Sequence, residues 1–212
     1  MFSDAFPLSI SGVRPILESD NDLSVLPYWG KMPEYFGLRR QREWRATRCL
    51  LESLLPNNLS PLEYDEHGKP FLPNYCIGIS HCISFVVVVL HPFGQVGTDI
   101  ESVRPQVRQV RDKFLTEREC LLLPDSNNLQ WLTLAWCVKE SLYKWHGKKG
   151  INIRYQLQIH DIECSQLQLG IPQKGVVHAC LSLDTGTCWA KVHFVSYKGH
   201  FWATVIGSEL IY

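Results

Sequence analysis

Twice along this chain of 212 residues a long helical segment is followed by strand-like runs, and that doubled order restricts the fold more than any bulk property does. The first helix is expected over Leu38 to Leu55, with apolar residues at 44, 50, 51, 54 and 55 and Pro56 to stop it. A turn-rich stretch, Tyr64 to Asn74, leads into β-rich runs at Cys76 to Ser80 and Ser84 to Leu90, joined by a corner at His81-Cys82-Ile83. Gly94 opens a third strand, Gln95 to Glu101. In the second half, Thr116 with Glu119 matches a capping box for a short helix that Pro124 closes. A long helix then runs from Leu129 to His146, with Gly147 as its natural terminator. Strands are expected at Ile151 to Ile159, Val176 to Leu183, Cys188 to Tyr197 and His200 to Ile206. The reading is an α+β fold of two similar subdomains, each a long helix packed on an antiparallel sheet, residues 1–104 and 105–212, with a cleft between them.

Charge excludes some functions. Lys+Arg and Asp+Glu both number 21, so no global field points to nucleic acid or membrane, and any polyanion site must be a local cluster. The longest apolar run, Phe85 to Leu90, is far below the ~20 residues that cross a bilayer, and Met1 to Pro15 lacks the pattern of a secretory leader. The eight cysteines form no CxxC pair and no zinc-finger spacing. Several sit in apolar runs, as buried thiols do, so a soluble cytoplasmic protein with reduced cysteines is expected.

Four short segments carry the chemistry. In Gly97-Thr98-Asp99-Ile100-Glu101, strand periodicity puts Asp99 and Glu101 on one face, where two carboxylates repel unless a cation or proton lies between them. In Trp136-Cys137-Val138-Lys139-Glu140-Ser141-Leu142-Tyr143-Lys144, residues 136, 140 and 144 line up along a helix whose other side, Val138, Leu142 and Trp145, faces the core. Glu140 and Lys144 alone would be a surface ion pair, but tryptophans at 131, 136 and 145 mark the helix as largely buried, so its charged row is expected to face a cleft. Gly68-Lys69-Pro70 holds a lysine in a fixed turn, and Ser80-His81-Cys82 sets a histidine at a strand corner.

In this order and spacing, the four segments resemble the 4'-phosphopantetheinyl transferase superfamily, in its larger Sfp-type members built as one chain with two related halves. The family pattern runs GKP, SH(S/T), G(I/V)D(I/V)E, WxxKE(S/A)xxK; this chain reads GKP at 68–70, SHC at 80–82, GTDIE at 97–101 and WCVKESLYK at 136–144. Cys82 and Thr98 depart from the pattern. The resemblance implies a pseudo-twofold fold, Mg²⁺ held by Asp99, Glu101 and Glu140, and coenzyme A as co-substrate, with Arg40, Arg48, Lys69, Ser80, His81 and Lys144 around its phosphates. It implies transfer of 4'-phosphopantetheine to a serine of an apo acyl or peptidyl carrier protein, releasing 3',5'-ADP. Glu140 would be the base, and Lys144 or Lys139 would stabilise charge on the leaving phosphate.

The carrier would be acidic, met by Arg104, Arg108, Arg111 and Lys113, and the two-half chain would act as a monomer. Two competing readings are a Mg²⁺-dependent nucleotide phosphohydrolase, which lacks any Gly-rich phosphate loop, and a non-catalytic regulator that binds coenzyme A or carrier.

Overall fold

The structure is a computed structural model that describes residues 8–21, 32, 36–56 and 60–207. The first seven residues, part of the segment examined for a leader, lie outside the described residues. In chain order the elements are β1 (Ile10–Pro15), a 3₁₀ turn (Glu18–Asn21), α1 (Leu38–Leu54), β2 (Glu63–Tyr64), β3 (Pro70–Phe71), β4 (Cys76–His81), β5 (Phe85–His91) and β6 (Gln95–Ser102). There follow α2 (Gln106–Gln109), α3 (Arg111–Phe114), α4 (Glu117–Leu122), α5 (Leu129–His146), β7 (Leu157–Gln168), β8 (Ile171–Leu183), β9 (Gly186–Tyr197) and β10 (His200–Gly207). Two antiparallel sheets dominate, in the orders β1-β5-β4 and β6-β10-β9-β8-β7.

β5 explains the valine run. Val86, Val88 and Leu90 pack with Ala46, Leu50 and Leu51 of α1, while Val87 and Val89 pack with Val96 and Ile100 of β6 and Trp202 of β10. A strand buried on both faces has no reason to alternate, so it reads as a continuous apolar run. Each fully buried valine stabilises the fold by roughly 1.5–3 kcal/mol.

β6 has two different faces. Thr98 points away from α5, where its hydroxyl donates to the Ala203 carbonyl at 3.0 Å and accepts the Trp202 indole N–H at 2.8 Å. A polar residue in this otherwise aliphatic position is therefore fully satisfied. Gly97 faces α5, and a Cβ there would lie 2.0 Å from the Ser141 carbonyl oxygen and 2.5 Å from the Trp145 nitrogen. Only glycine lets the helix lie this close to the strand. β6 pairs with β10 along its whole length, from His200↔Ser102 to Gly207↔Gln95, so the strand read with the N-terminal half is hydrogen-bonded into the C-terminal sheet.

α5 starts at Asn128, whose side chain accepts the Gln130 N–H, and ends at Gly147 in the left-handed conformation, φ 74°. The capping box forms: the Thr116 hydroxyl accepts the Glu119 N–H while the Glu119 carboxylate accepts the Thr116 N–H. Two expectations need correction, and one strand was not expected. The strand expected from Ile151 begins at Leu157, because the Asn152 side chain accepts the N–H groups of Arg154 and Tyr155 and closes a turn. β7 then runs on to Gln168 and turns tightly into β8, a hairpin hidden by its polar sequence. β1 carried no signal, because Ser11, Gly12, Arg14 and Pro15 interrupt its pattern. All eight cysteines are free thiols, and no helix among the described residues is long and apolar enough to cross a membrane.

Candidate active site

The close packing of β6 on α5 brings the two acidic motifs together. Lys144 is the centre: its ammonium donates to Asp99 Oδ1 at 2.5 Å and to the Ser80 hydroxyl at 2.9 Å. Ser80 donates in turn to Asp99 Oδ1 at 2.7 Å, and the Ile100 N–H reaches Ser80 Oγ at 3.3 Å. Asp99 is 3 % exposed, yet its second oxygen, Oδ2, has no hydrogen-bond partner. A buried carboxylate oxygen left without a partner is costly unless another group completes it.

Glu101 and Glu140 surround this pair. The Trp136 indole N–H donates to Glu101 Oε1 at 3.2 Å, and Arg104 lies 3.5 Å from Oε2. Burial, then the Asp99 charge, pushes Glu101 above the ordinary carboxylate range. Burial and Asp99 act on Glu140 in the same order, and push it up to about 7 despite Lys144. Burial works against the Lys144 ammonium, but Asp99 outweighs it and raises Lys144 above the ordinary lysine range. The cluster sets three carboxylates against the Lys144 ammonium, with Arg104 at its edge.

Those residues fit a divalent cation. Asp99 Oδ2 is an unused hard-oxygen donor, and Glu140 is resisted in its charged form by burial and then by the neighbouring carboxylates, whose repulsion a cation would relieve. The three carboxylates are not drawn into one tight shell, since among the described residues only Asp161, Glu163 and His178 bring three such ligand atoms within 4.8 Å of one another.

Beside the cluster lies a cavity of about 310 Å³ whose walls include Lys69, Lys144, Lys148, Lys149 and His67. Lys144 is common to the cavity and the carboxylates. The Lys69 ammonium donates to Gln95 Oε1 at 3.1 Å, close to Gly147 at the C-terminus of α5, where a cation also favours the helix dipole. Asp65 fixes its turn, accepting the backbone N–H of Lys69 at 2.8 Å. A larger cavity, about 410 Å³, shares Lys69, Pro70, Ile77 and Val96 and continues to Tyr64, Phe71 and Tyr75, away from the carboxylates.

The remaining predicted residues divide. His81 and Arg40 meet at Glu43, a buried carboxylate without a signal in the sequence: His81 Nδ1 is 3.4 Å and Arg40 3.7 Å from it, and Arg39 donates to it at 2.7 Å. Burial holds the His81 imidazole below its ordinary pKa. Arg48 is not in this group. It is 3 % exposed, stacked 4.1 Å over the Trp44 ring and hydrogen-bonded toward Tyr64, which makes it a packing residue of α1. Lys139 also departs from expectation. It is wholly buried on the other side of α5, 2.7 Å from Glu119 and donating to the carbonyls of Phe114 and Ile153 at 2.6 and 3.3 Å. The 100° step per helical residue separates it from Glu140. Cys82 is likewise buried between the sheets, with Val87 and Ile100, and offers nothing to a phosphate. Trp136 and Glu43 were the partners sequence reasoning missed; Trp136 was legible as the first residue of the helical row, its hydrogen bond was not.

The chain is 32% identical over 122 residues to the 4'-phosphopantetheinyl transferase AcpT of Escherichia coli strain K12, and equally to that of Escherichia coli O157:H7. Each match covers 52% of this chain and 60% of the relative, so the similarity spans under two thirds of the curated proteins. The family model described as the 4'-phosphopantetheinyl transferase superfamily matches residues 95–205, from the first residue of β6 through Val205 in β10, a span that holds Asp99, Glu101, Glu140 and Lys144. The chain belongs to the 4'-phosphopantetheinyl transferase superfamily.

Proposed function

We propose that this protein transfers 4'-phosphopantetheine from coenzyme A to a serine of an apo acyl or peptidyl carrier protein, a Mg²⁺-dependent reaction of the holo-acyl-carrier-protein synthase type. The observation that carries this reading is the cluster of Asp99, Glu101 and Glu140 around Lys144, at the wall of a lysine-lined cavity. A cavity rich in ammonium groups suits a polyphosphate, and the carboxylates suit the hard cation that accompanies it.

Asp99, Glu101 and Glu140 would hold Mg²⁺, which when bound neutralises charge on the pyrophosphate oxygens. The remaining steps belong to the chain. Lys69 and Lys144, which both line the cavity, bind phosphate, and His81 and Arg40, which meet at Glu43, add cationic groups at the end of β4. Glu140 takes the proton of the carrier serine, since the hydroxyl is a poor nucleophile until a base removes that proton. The serine oxygen then forms a bond to the β-phosphorus of coenzyme A, and the bond from that phosphorus to the bridging oxygen breaks. The electron pair leaves on the bridging oxygen as 3',5'-ADP, opposite the Lys144 ammonium. Ser80 holds Lys144 and Asp99 in register.

The finer assignments follow from the same reading. The protein is of the Sfp type: two related halves, 1–104 and 105–212, joined where β6 of the first pairs into the sheet of the second, acting as a cytoplasmic monomer. Arg104, Arg108, Arg111 and Lys113 meet an acidic carrier. Incubation with coenzyme A, Mg²⁺ and a panel of apo-carriers, read by intact mass, is the test. Gain of one phosphopantetheine per carrier is the expected result. Cleavage of coenzyme A without carrier would mark a hydrolase, and binding without turnover a regulator; either overturns the proposal.

A further inference from the structure

The five-stranded sheet has a second face, and its outer strands carry a constellation that the transferase reaction does not use. Leu157 and Ile159 of β7, Val177 and Ala179 of β8 and Val192 of β9 point inward, into the core shared with α5. Continued alternation from Ile159 would turn residues 161 and 163 inward as well. The register instead runs Ile159↔Ala179 and then Asp161↔His178, so His160 is an extra residue, a β-bulge. The bulge reverses the alternation: Ile162 and Cys164 pack against the core, while Asp161 and Glu163 are exposed on the outer face. Bulges re-aim side chains in this way, and they are found beside functional sites.

The re-aimed residues meet a histidine. His178 is the direct cross-strand partner of Asp161, and its Nε2 lies 2.8 Å from Glu163 Oε1. The ligand atoms of Asp161, Glu163 and His178 all fall within 4.8 Å of one another. Two residues at n and n+2 of one strand plus the partner of n on the next strand present three donors to a single point above the sheet. The two carboxylates are like charges on one face. Among the described residues neither makes an ion pair with a lysine or arginine within 4.0 Å; Lys191, the partner of His178 on β9, does not reach them. The imidazole is thus the group that faces both.

We propose that Asp161, Glu163 and His178 form a second divalent-metal site, on the opposite face of the sheet from Asp99 and specific for a zinc-class ion. One imidazole nitrogen and two carboxylate oxygens are a donor set that zinc accepts at about 2.0–2.2 Å, whereas Mg²⁺ and Ca²⁺ take all-oxygen sites. Three protein ligands leave a position open to solvent, so the site exchanges its ion readily. Binding replaces the His178–Glu163 hydrogen bond, placing the ring proton on Nδ1 while Nε2 ligates. An ion there would also bridge β7 to β8 beside the bulge.

Zinc alone is the probe, titrated calorimetrically into the full chain with excess Mg²⁺ present to fill hard-oxygen sites. Zinc K-edge absorption then reads the ligands in solution. The expected result is one equivalent bound with a first shell of nitrogen and oxygen at about 2.0–2.2 Å, and no sulfur near 2.3 Å. His178→Ala and Asp161→Asn are each expected to weaken binding by about tenfold or more while leaving Mg²⁺-dependent turnover unchanged. A sulfur-containing shell, which would place zinc on the thiols, or equal zinc affinity in His178→Ala and the parent protein, overturns the proposal.

Discussion

Lys139 and Lys144 are five residues apart on one helix, and each is paired with a buried carboxylate, yet their surroundings are opposite. On the core side, Lys139 has Glu119 and two carbonyls, and Glu119 has the Thr116 N–H and hydroxyl and the Ile159 N–H. Every strong donor there meets an acceptor, and the unit ties α5 to α4 and β7. On the cavity side, Lys144 is pulled by Asp99 and Glu140, Asp99 Oδ2 has no partner, and Glu140 is pushed up to about 7. A closed network holds a helix in place. An open one keeps unsatisfied charge ready for a ligand, and is the one that can do chemistry.

The comparison breaks most sharply at Glu140. Glu140→Gln keeps the shape and removes the basicity, so turnover should fall by at least ~10²-fold while coenzyme A binding falls less. Steady-state kinetics beside a binding titration would show it. Next is Lys139→Ala, which leaves Glu119 buried without its cation and should cost about 3–5 kcal/mol of stability. Turnover per folded molecule should stay near the parent value, as denaturant melts paired with activity would reveal. The reverse pattern, stable but inactive, would return Lys139 to the chemistry.

A smaller effect is expected at Trp136, whose indole holds Glu101 and whose ring packs edge-on against Phe114 at 5.1 Å. Trp136→Phe keeps the packing and loses the N–H, so Mn²⁺ affinity measured by calorimetry should weaken by about tenfold. The same open network predicts a pH effect in chelator. Glu140 titrates near 7 in the folded protein against an ordinary 4.5, so the fold binds its proton more tightly than the unfolded chain does. Stability contributed by this group is therefore lost as pH rises from about 4.5 to 7. Without metal, Glu140→Gln should melt above the parent at pH 8, and the two should converge near pH 4.5. Smallest is the nucleotide end: Lys69→Ala and His81→Ala should raise KM for coenzyme A with little change in kcat, because their contacts are the same in ground and transition states.

How far the sequence showed this site depends on what kind of information each residue needed. Asp99, Glu101, Glu140 and Lys144 follow from period two on a strand and period four on a helix, so spacing alone put them on common faces. α5 was legible from its composition and from Gly147, the terminator written in the chain; its N-cap, Asn128, emerged only in the structure. Long-range partners were not legible. Nothing local says that Glu119 will meet Lys139 or that Glu43 will meet His81, since both pairings depend on how separate elements pack. The same holds for Arg48, where helical spacing alone did not show that the side chain would turn inward onto Trp44. The β7 bulge was invisible for another reason: a single inserted residue reverses the face of the residues after it, here Asp161 to Cys164, and His160 carries no turn signal.

The most direct test of the account is intact-mass analysis of an apo-carrier after reaction with coenzyme A and Mg²⁺, run in parallel for the parent protein, Asp99→Ala and Lys139→Met. The account predicts one phosphopantetheine per carrier with the parent and, for the fraction that folds, with Lys139→Met, and none with Asp99→Ala. Modification by Asp99→Ala at the parent rate would contradict it.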